Sequence, residues 1–270
     1  MEELFAILQK LSVLNRDNKN VFTNTERLDA IAELLRDSDY QRVDAEGLFH
    51  MYSRKPVSEL RGPVFVVSSH VDCEYHITKC FAEYKDDETL LGTFDNSITN
   101  AAIVYLMVNG RLPENVLVAF TGDEEETGRG AKGVIRYIRR NKLDVINVFV
   151  LDVTEVGWNK EADFTIENDF WDDSFGRKLV DLAQQTGFSW RYVPGELDDI
   201  PRYIPKDRIE HIEAYDDESW DYDEADIPCF SLCLPTKGEM HCNDGVLARV
   251  RSFGRYTEVL GKMLNIHGDF

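Results

Sequence analysis

The sequence predicts an α/β fold, a single domain in which helices cover both faces of a mainly parallel, mixed sheet in a three-layer α/β/α arrangement. Two observations predict it. The runs at 63–69, 115–121 and 145–153 are continuously apolar over most of their length rather than alternating, as strands covered on both faces are. Stretches with helical pattern separate them, and strands alternating with helices read as parallel pairing through helical crossovers. With 270 residues, 43% of them hydrophobic and 11% aromatic, the chain has ample material for one such core.

Taken in order, Leu4, Leu8, Leu11 and Leu14 recur at helical spacing. The first residues lack a basic start and a small-residue cleavage site, so they read as an amphipathic helix and not as a secretory leader. Thr23 and Glu26 form a capping-box pattern ahead of a helix over 24–37. Residues 47–53 and 63–69 read as strands, 96–109 as a helix stopped by Gly110, and 115–121 as a buried strand. A helix over 130–141 ends on Arg139 and Arg140, which suit a helix C-terminus. A strand at 145–153 follows, then a helix over 174–186 with Gly187 as its cap. The stretch 194–226, rich in Asp, Glu, Tyr, Trp and Pro, reads as irregular. A strand at 228–234 and a long closing helix over 245–266 complete the chain. No apolar run approaches the ~20 residues that span a bilayer.

Fifty acids against thirty bases give a formal charge of −20. That balance argues against nucleic acid and anionic membrane surfaces as partners, because both are bound through basic footprints. Five cysteines, with no CxxC pair, predict reduced thiols and a cytoplasmic protein.

In parallel sheets, ligands bind beyond the carboxyl ends of the strands. The residues expected at those ends share a chemistry. The strand at 63–69 delivers His70 and Asp72, the loop before the helix at 96 delivers Asp95, and the strand at 145–153 delivers Asp152. The strand at 115–121 runs into the acids Asp123, Glu124, Glu125 and Glu126, and His241 follows the strand at 228–234. Two histidines and several carboxylates at one sheet edge form a donor set for a first-row metal. Four adjacent acids at the end of an apolar strand also repel one another and resist burial, which a cation would relieve.

The segments SSHVDCEY, LLGTFDNS, FTGDEEETGRGAKG, VFVLDVT and MHCNDG, in this order, resemble those of the co-catalytic two-zinc exopeptidases: zinc aminopeptidases and their carboxypeptidase and deacylase relatives. The resemblance implies the zinc exopeptidase (phosphorylase/hydrolase-like) fold and two Zn²⁺ ions, with Mn²⁺ or Co²⁺ as alternatives. It implies that His70 and Asp152 hold one metal, that Glu126 and His241 hold the other, and that Asp95 bridges them. Glu125 would be the general base and Asp72 would orient His70. The register rests on the family's Glu-Glu-x-Gly pattern, which only Glu125-Glu126-Thr127-Gly128 fits; a shift of one residue would move the base to Glu124. The resemblance also implies a cis peptide at Asp95–Asn96. Thr99 departs from it, standing where the family commonly has glycine. Too little chain separates His70 from Asp95, or Asp152 from His241, to hold an inserted lid or dimerisation domain.

The activity implied is removal of an N-terminal residue from a small peptide or aminoacyl substrate by a metal-activated water, in a chain that could form a homo-oligomer. An N-acyl amino-acid deacylase or amidase would use the same donors, and a non-catalytic protein retaining the fold would keep some of them. The acids and aromatics of 216–224 could rim a pocket that attracts an amine. Cys73 and Cys242, beside Asp72 and His241, read as small buried residues.

Overall fold

The structure, a computed structural model, describes residues 1–15, 22–195, 200–211 and 218–266, with the side chains of 168–170 left aside. Along the chain come α1 (Glu2–Leu11), α2 (Thr25–Leu35), β1 (Gln41–Ala45), β2 (Phe49–Ser53), β3 (Val64–His70), β4 (Ala82–Tyr84) and β5 (Thr89–Gly92). Next are α3 (Ser97–Val108), β6 (Val116–Thr121), α4 (Arg129–Asn141), β7 (Val145–Thr154), β8 (Phe164–Phe170) and α5 (Asp173–Gln185). The chain continues through β9 (Trp190–Pro194), α6 (Glu218–Asp223), β10 (Cys229–Lys237), β11 (Val246–Arg249) and α7 (Val250–Leu264).

The centre of the sheet is the parallel set β6-β3-β7-β10. Every residue of β3 and β6 is buried, which explains why these strands read as unbroken apolar runs. The flanks are antiparallel: β2 joins β6 and carries β1, while β8 joins β10 and carries β9 in parallel. The far end of β10 bends into a smaller antiparallel sheet with β11, β5 and β4. The expected mixed, mainly parallel sheet is therefore present, with helices on both faces.

One face is covered by α1, α3, α5 and α7, whose Leu8, Ile103, Phe175 and Tyr256 share a core with Phe65, Phe149 and Phe230 of the sheet. The helix α3 lies under α1, α2 and α7, so it is apolar nearly all round instead of striped. The opposite face is covered by α4, through Ala131, Val134 and Ile138, and by α6 through Tyr222. Among the described residues no helix is long and apolar enough to cross a membrane.

Phe149 sits at the middle of the first core, with its ring 4.7 Å from that of Phe230 and 5.5 Å from that of Phe65. Phe149→Ala is expected to lower stability by about 3–5 kcal/mol, read as a drop in denaturant midpoint at unchanged slope.

Several local expectations need correction. The helix start is capped by Asn24, whose side chain accepts from the Arg27 N–H at 3.2 Å, while the Thr23 hydroxyl turns to the carbonyls of Phe22 and Gly47. The closing helix begins at Val250, because 246–249 pairs with 89–92 as a strand. The stretch read as irregular contains the end of β9 and the helix α6; the predicted rim residues Asp216 and Asp217 lie outside the described residues. The strands β1, β4, β5, β8, β9 and β11 have no reading in the sequence, being short or on sheet flanks, where pairing partners decide the structure more than propensity does.

Candidate metal centre

The four parallel strands end at one edge, and the predicted residues gather there. His70 closes β3, Asp152 lies near the end of β7, and the acidic run leaves β6 directly. His241 is carried by the turn between β10 and β11. Asp95 stands between β5 and α3, and its peptide bond to Asn96 is cis.

The start of α3 is tied to the strand ends by buried amides. The Asn96 Nδ2 donates to the Leu151 carbonyl at 2.6 Å, and the Asn100 Nδ2 donates to the His70 carbonyl at 2.6 Å. Thr99, in the position where a glycine was expected, is buried; its hydroxyl bonds the Asn96 side chain and lies 3.4 Å from that of Ser69. The threonine thus adds to the polar tie that carries Asp95.

The two oxygens of Asp95 face two different histidines. Oδ1 is 2.9 Å from the His70 Nε2, and Oδ2 is 2.9 Å from the His241 Nε2. The Asp152 Oδ1 lies 3.7 Å from the His70 Nε2, and the Glu125 Oε2 lies 3.4 Å from the His241 Nε2. Asp72, fully inside, has Oδ1 3.4 Å from the His70 Nδ1 and accepts the Glu125 backbone N–H on Oδ2 at 3.3 Å.

This cluster fits a cation. Glu125 Oε1 is buried without a hydrogen-bond partner, an arrangement that is costly unless something else satisfies it. Among the described residues, donor atoms of His70, Asp95 and Glu125 converge within 4.8 Å, and so do those of Glu74, Glu125 and His241. Asp72, Asp95, Glu124, Glu125 and Asp152 crowd around two imidazoles. Burial opposes charge on His70, but Glu124 and hydrogen bonds with Asp152, Asp72 and Asp95 outweigh it and hold the ring well above its ordinary pKa. The hydrogen bond to Asp95 pushes His241 up to about 9, and burial with the nearby Asp95 charge pushes Glu125 up to about 8. The site carries more negative charge than its histidines offset, and imidazole with carboxylate suits Zn²⁺, Mn²⁺ or Co²⁺.

The four acids of the run differ in burial and contacts. Asp123 is fully buried with φ 68°. Its Oδ2 accepts from the Thr127 hydroxyl at 2.6 Å, the Arg129 N–H at 3.2 Å and the Arg129 Nε at 2.6 Å. Burial would raise its pKa, but these donors hold it below the usual carboxylate range. That clamp fixes the turn and turns Glu125 inward beside His241. Glu126, read as the ligand there, is exposed and belongs to neither group of converging donors. Glu124 lies 3.9 Å from the His70 Nε2 on the wall of the cavity. Burial raises its pKa well above the ordinary value, with His70 opposing and Asp152 and Glu125 adding.

A cavity of about 860 Å³ opens over the cluster, lined by Glu74, Glu126, Glu155, Trp220 and Asp221 among others. Part of the predicted rim is there. Glu218, however, is buried below it: its Oε2 accepts from the Ser68 hydroxyl at 2.6 Å, burial pushes it up to about 7, and Tyr222 donates to the same Ser68 at 2.9 Å. Glu74, which sequence reasoning missed, has no motif spacing to betray it; the loop after His70 brings it beside Glu125 and His241.

No family model and no curated protein matches the sequence. Solved structures do match the fold. A TET aminopeptidase from a marine-sediment Thaumarchaeota archaeon is 10% identical with a TM-score of 0.72, covering 99% of this chain and 98% of that one. The TET1 peptidase of Pyrococcus horikoshii, described as assembling into a tetrahedron or a large octahedral shell, is 12% identical with a TM-score of 0.68 over 97% and 99%. Aminopeptidase PepT of Bacillus cereus is 10% identical, with a TM-score of 0.66 over 97% of each chain. The chain therefore has the fold of these aminopeptidases, retained at very low identity.

Proposed function

We propose that the protein is a metal-dependent aminopeptidase of the co-catalytic zinc exopeptidase kind, built as one catalytic domain over 1–270. The observation that carries this reading is the Asp95 carboxylate, with one oxygen 2.9 Å from His70 and the other 2.9 Å from His241. His70, Asp152 and Asp95 would hold one Zn²⁺; Asp95, Glu125 and His241 would hold the other. Mn²⁺ or Co²⁺ would suit the same donors. Bound in such pairs, these ions polarise a carbonyl and lower the pKa of water.

The chain's own residues then have separate tasks. Glu124 takes the proton of the attacking water and returns it to the leaving amine, a general-base and general-acid role. Its half-buried carboxylate sits on the cavity wall, open to substrate and outside both converging donor groups. Asp72 positions two partners at once, the His70 ring and the Glu125 backbone, as carboxylates beside ligating histidines do. Glu126 stays at the rim and has no part in the chemistry. The acidic cavity favours a small peptide or aminoacyl substrate with a free amine, and nucleic acid does not fit a charge of −20. Five free cysteines support a cytoplasmic setting, and the assembly of the Pyrococcus relative supports a homo-oligomer.

The test is a panel assay on protein of measured metal content, using aminoacyl-anilides, their N-blocked analogues and N-acyl amino acids. Free-amine substrates are expected to be cleaved, with activity lost to a chelator and restored by Zn²⁺. Preference for blocked substrates would replace this reading with a deacylase, and no turnover with metal bound would replace it with a non-catalytic protein.

A further inference from the structure

Two cysteines bracket the loop that follows His70. Cys73 and Cys80 lie between β3 and β4, and their sulfur atoms are 3.8 Å apart. Against them rests Arg27 of α2, whose side chain is completely buried. A buried guanidinium is costly unless an anion or a full set of acceptors meets it. Among the described residues no carboxylate pairs with Arg27. Its Nε donates to the Leu11 carbonyl at 3.0 Å, its Nη2 lies 3.5 Å from the Cys73 sulfur and 4.0 Å from that of Cys80, and its Nη1 has no partner. The two sulfurs are thus the only electron-rich side-chain groups bonded to this cation among the described residues.

A thiolate at one of them would complete the pair. Cys80 is suited to it: the hydrogen bond from Cys73, and then the Arg27 charge, outweigh burial and bring its pKa down to about 6. Cys80 is also partly exposed, whereas Cys73 is buried. Low-pKa, accessible thiols with a second cysteine at hand are the ones that react with peroxides and resolve as disulfides.

We propose that Cys80 is a hydroperoxide-reactive thiol, held as the counter-ion of Arg27, and that Cys73 resolves it to a reversible disulfide. The Cys80 sulfur attacks one peroxide oxygen; an S–O bond forms, the O–O bond breaks, and the leaving oxygen departs as water or alcohol after taking a proton from solvent. The Cys73 sulfur then attacks the Cys80 sulfur, forming the S–S bond and breaking S–O. Hydroxide leaves with the Cys73 proton as a second water. Two electrons pass from the thiol pair to the peroxide.

The disulfide would act on the neighbouring site through the loop it closes. A bonded pair needs its sulfurs at about 2.05 Å, so the loop ends must draw together. That loop holds the His241 turn: the His76 Nε2 is 2.5 Å from the His241 carbonyl, and the Thr78 N–H donates to the Asn243 Oδ1 at 2.7 Å. This coupling rests on the hydrolase reading above, while the thiol chemistry does not.

The test treats the full-length, metal-loaded protein with equimolar hydrogen peroxide at neutral pH, followed by intact mass and peptide mapping. A loss of about 2 Da is expected, with the peptides of Cys73 and Cys80 joined and dithiothreitol reversing the link. This should proceed several-fold faster than oxidation of Cys242, the other partly exposed thiol. Cys73→Ser should stop at a Cys80 sulfenic acid trapped by a cyclic dione, and Cys80→Ser should lose both products. Preferential oxidation of Cys242, or a trapped sulfenic acid on Cys73 with Cys80 untouched, would overturn the proposal; the wild-type map decides this even if a variant fails to fold. In the disulfide form hydrolysis should fall at least several-fold and recover on reduction. Unchanged turnover overturns the coupling, whereas absence of turnover in both forms counts against the hydrolase reading and leaves the mass result to decide the thiol chemistry.

Discussion

Glu124→Gln should lower kcat by about 10²–10⁴-fold while metal content stays at the wild-type level. The carboxylate stands on the cavity wall, 3.9 Å from the His70 Nε2, and lies outside both groups of converging donors. Glutamine keeps its shape and removes only the ability to take a proton. The neighbours make the test specific. Glu125→Gln, beside His241 and Asp95, should lose metal together with activity, and Glu126→Gln, exposed at the rim, should change neither by more than a few-fold. Metal content by elemental analysis beside kcat for each variant separates the three. Loss of metal in Glu126→Gln would return the site to the register read from the Glu-Glu-x-Gly pattern.

Asp95→Ala should cut metal affinity by more than about 100-fold and abolish turnover, because one residue supplies an oxygen to each histidine-centred half of the cluster. A readout independent of activity follows from linkage. Metal at 100 times its dissociation constant stabilises the wild type by about 2.7 kcal/mol, and that increment should vanish in the variant. Metal-free Asp95→Ala loses its contacts to both histidines, so each protein's increment is taken against its own metal-free melt. Thermal melts with and without Zn²⁺ measure the difference. A full metal increment in Asp95→Ala would remove the bridging role.

Much of the scaffold was legible from residue order alone. The buried strands β3, β6 and β7 announce themselves because both of their faces are covered, so their apolar runs are unbroken. His70, Asp95, Asp152 and His241 were legible for a related reason: each follows an element end, and a parallel sheet sends those ends to one edge. The short strands β4, β5 and β11 were not legible. A four-residue run such as Val246–Arg249 can serve as the first turn of a helix or as a strand, and only its pairing with β5 decides.

The acidic run shows the limit most clearly. Composition and position made 123–126 the chemical centre of the chain, since four acids at a buried strand end need a cation or a turn toward water. Their directions turn on Arg129 reaching back to Asp123, which buries the first acid, sets Glu124 and Glu125 beside the histidines and leaves Glu126 exposed. Similarly, Cys73 and Cys80 are unremarkable in sequence, and their pairing over Arg27 arises only when α2 packs against the loop after β3.

The sequence by itself determined the fold class, the sheet edge and the kinds of donor gathered there, because strand burial and element ends are written in local pattern. Which carboxylate faces which histidine, and which thiols meet a buried cation, depended on contacts between residues far apart in the chain. A side chain's direction in a turn is set by such partners, so those contacts were decided by the tertiary structure alone.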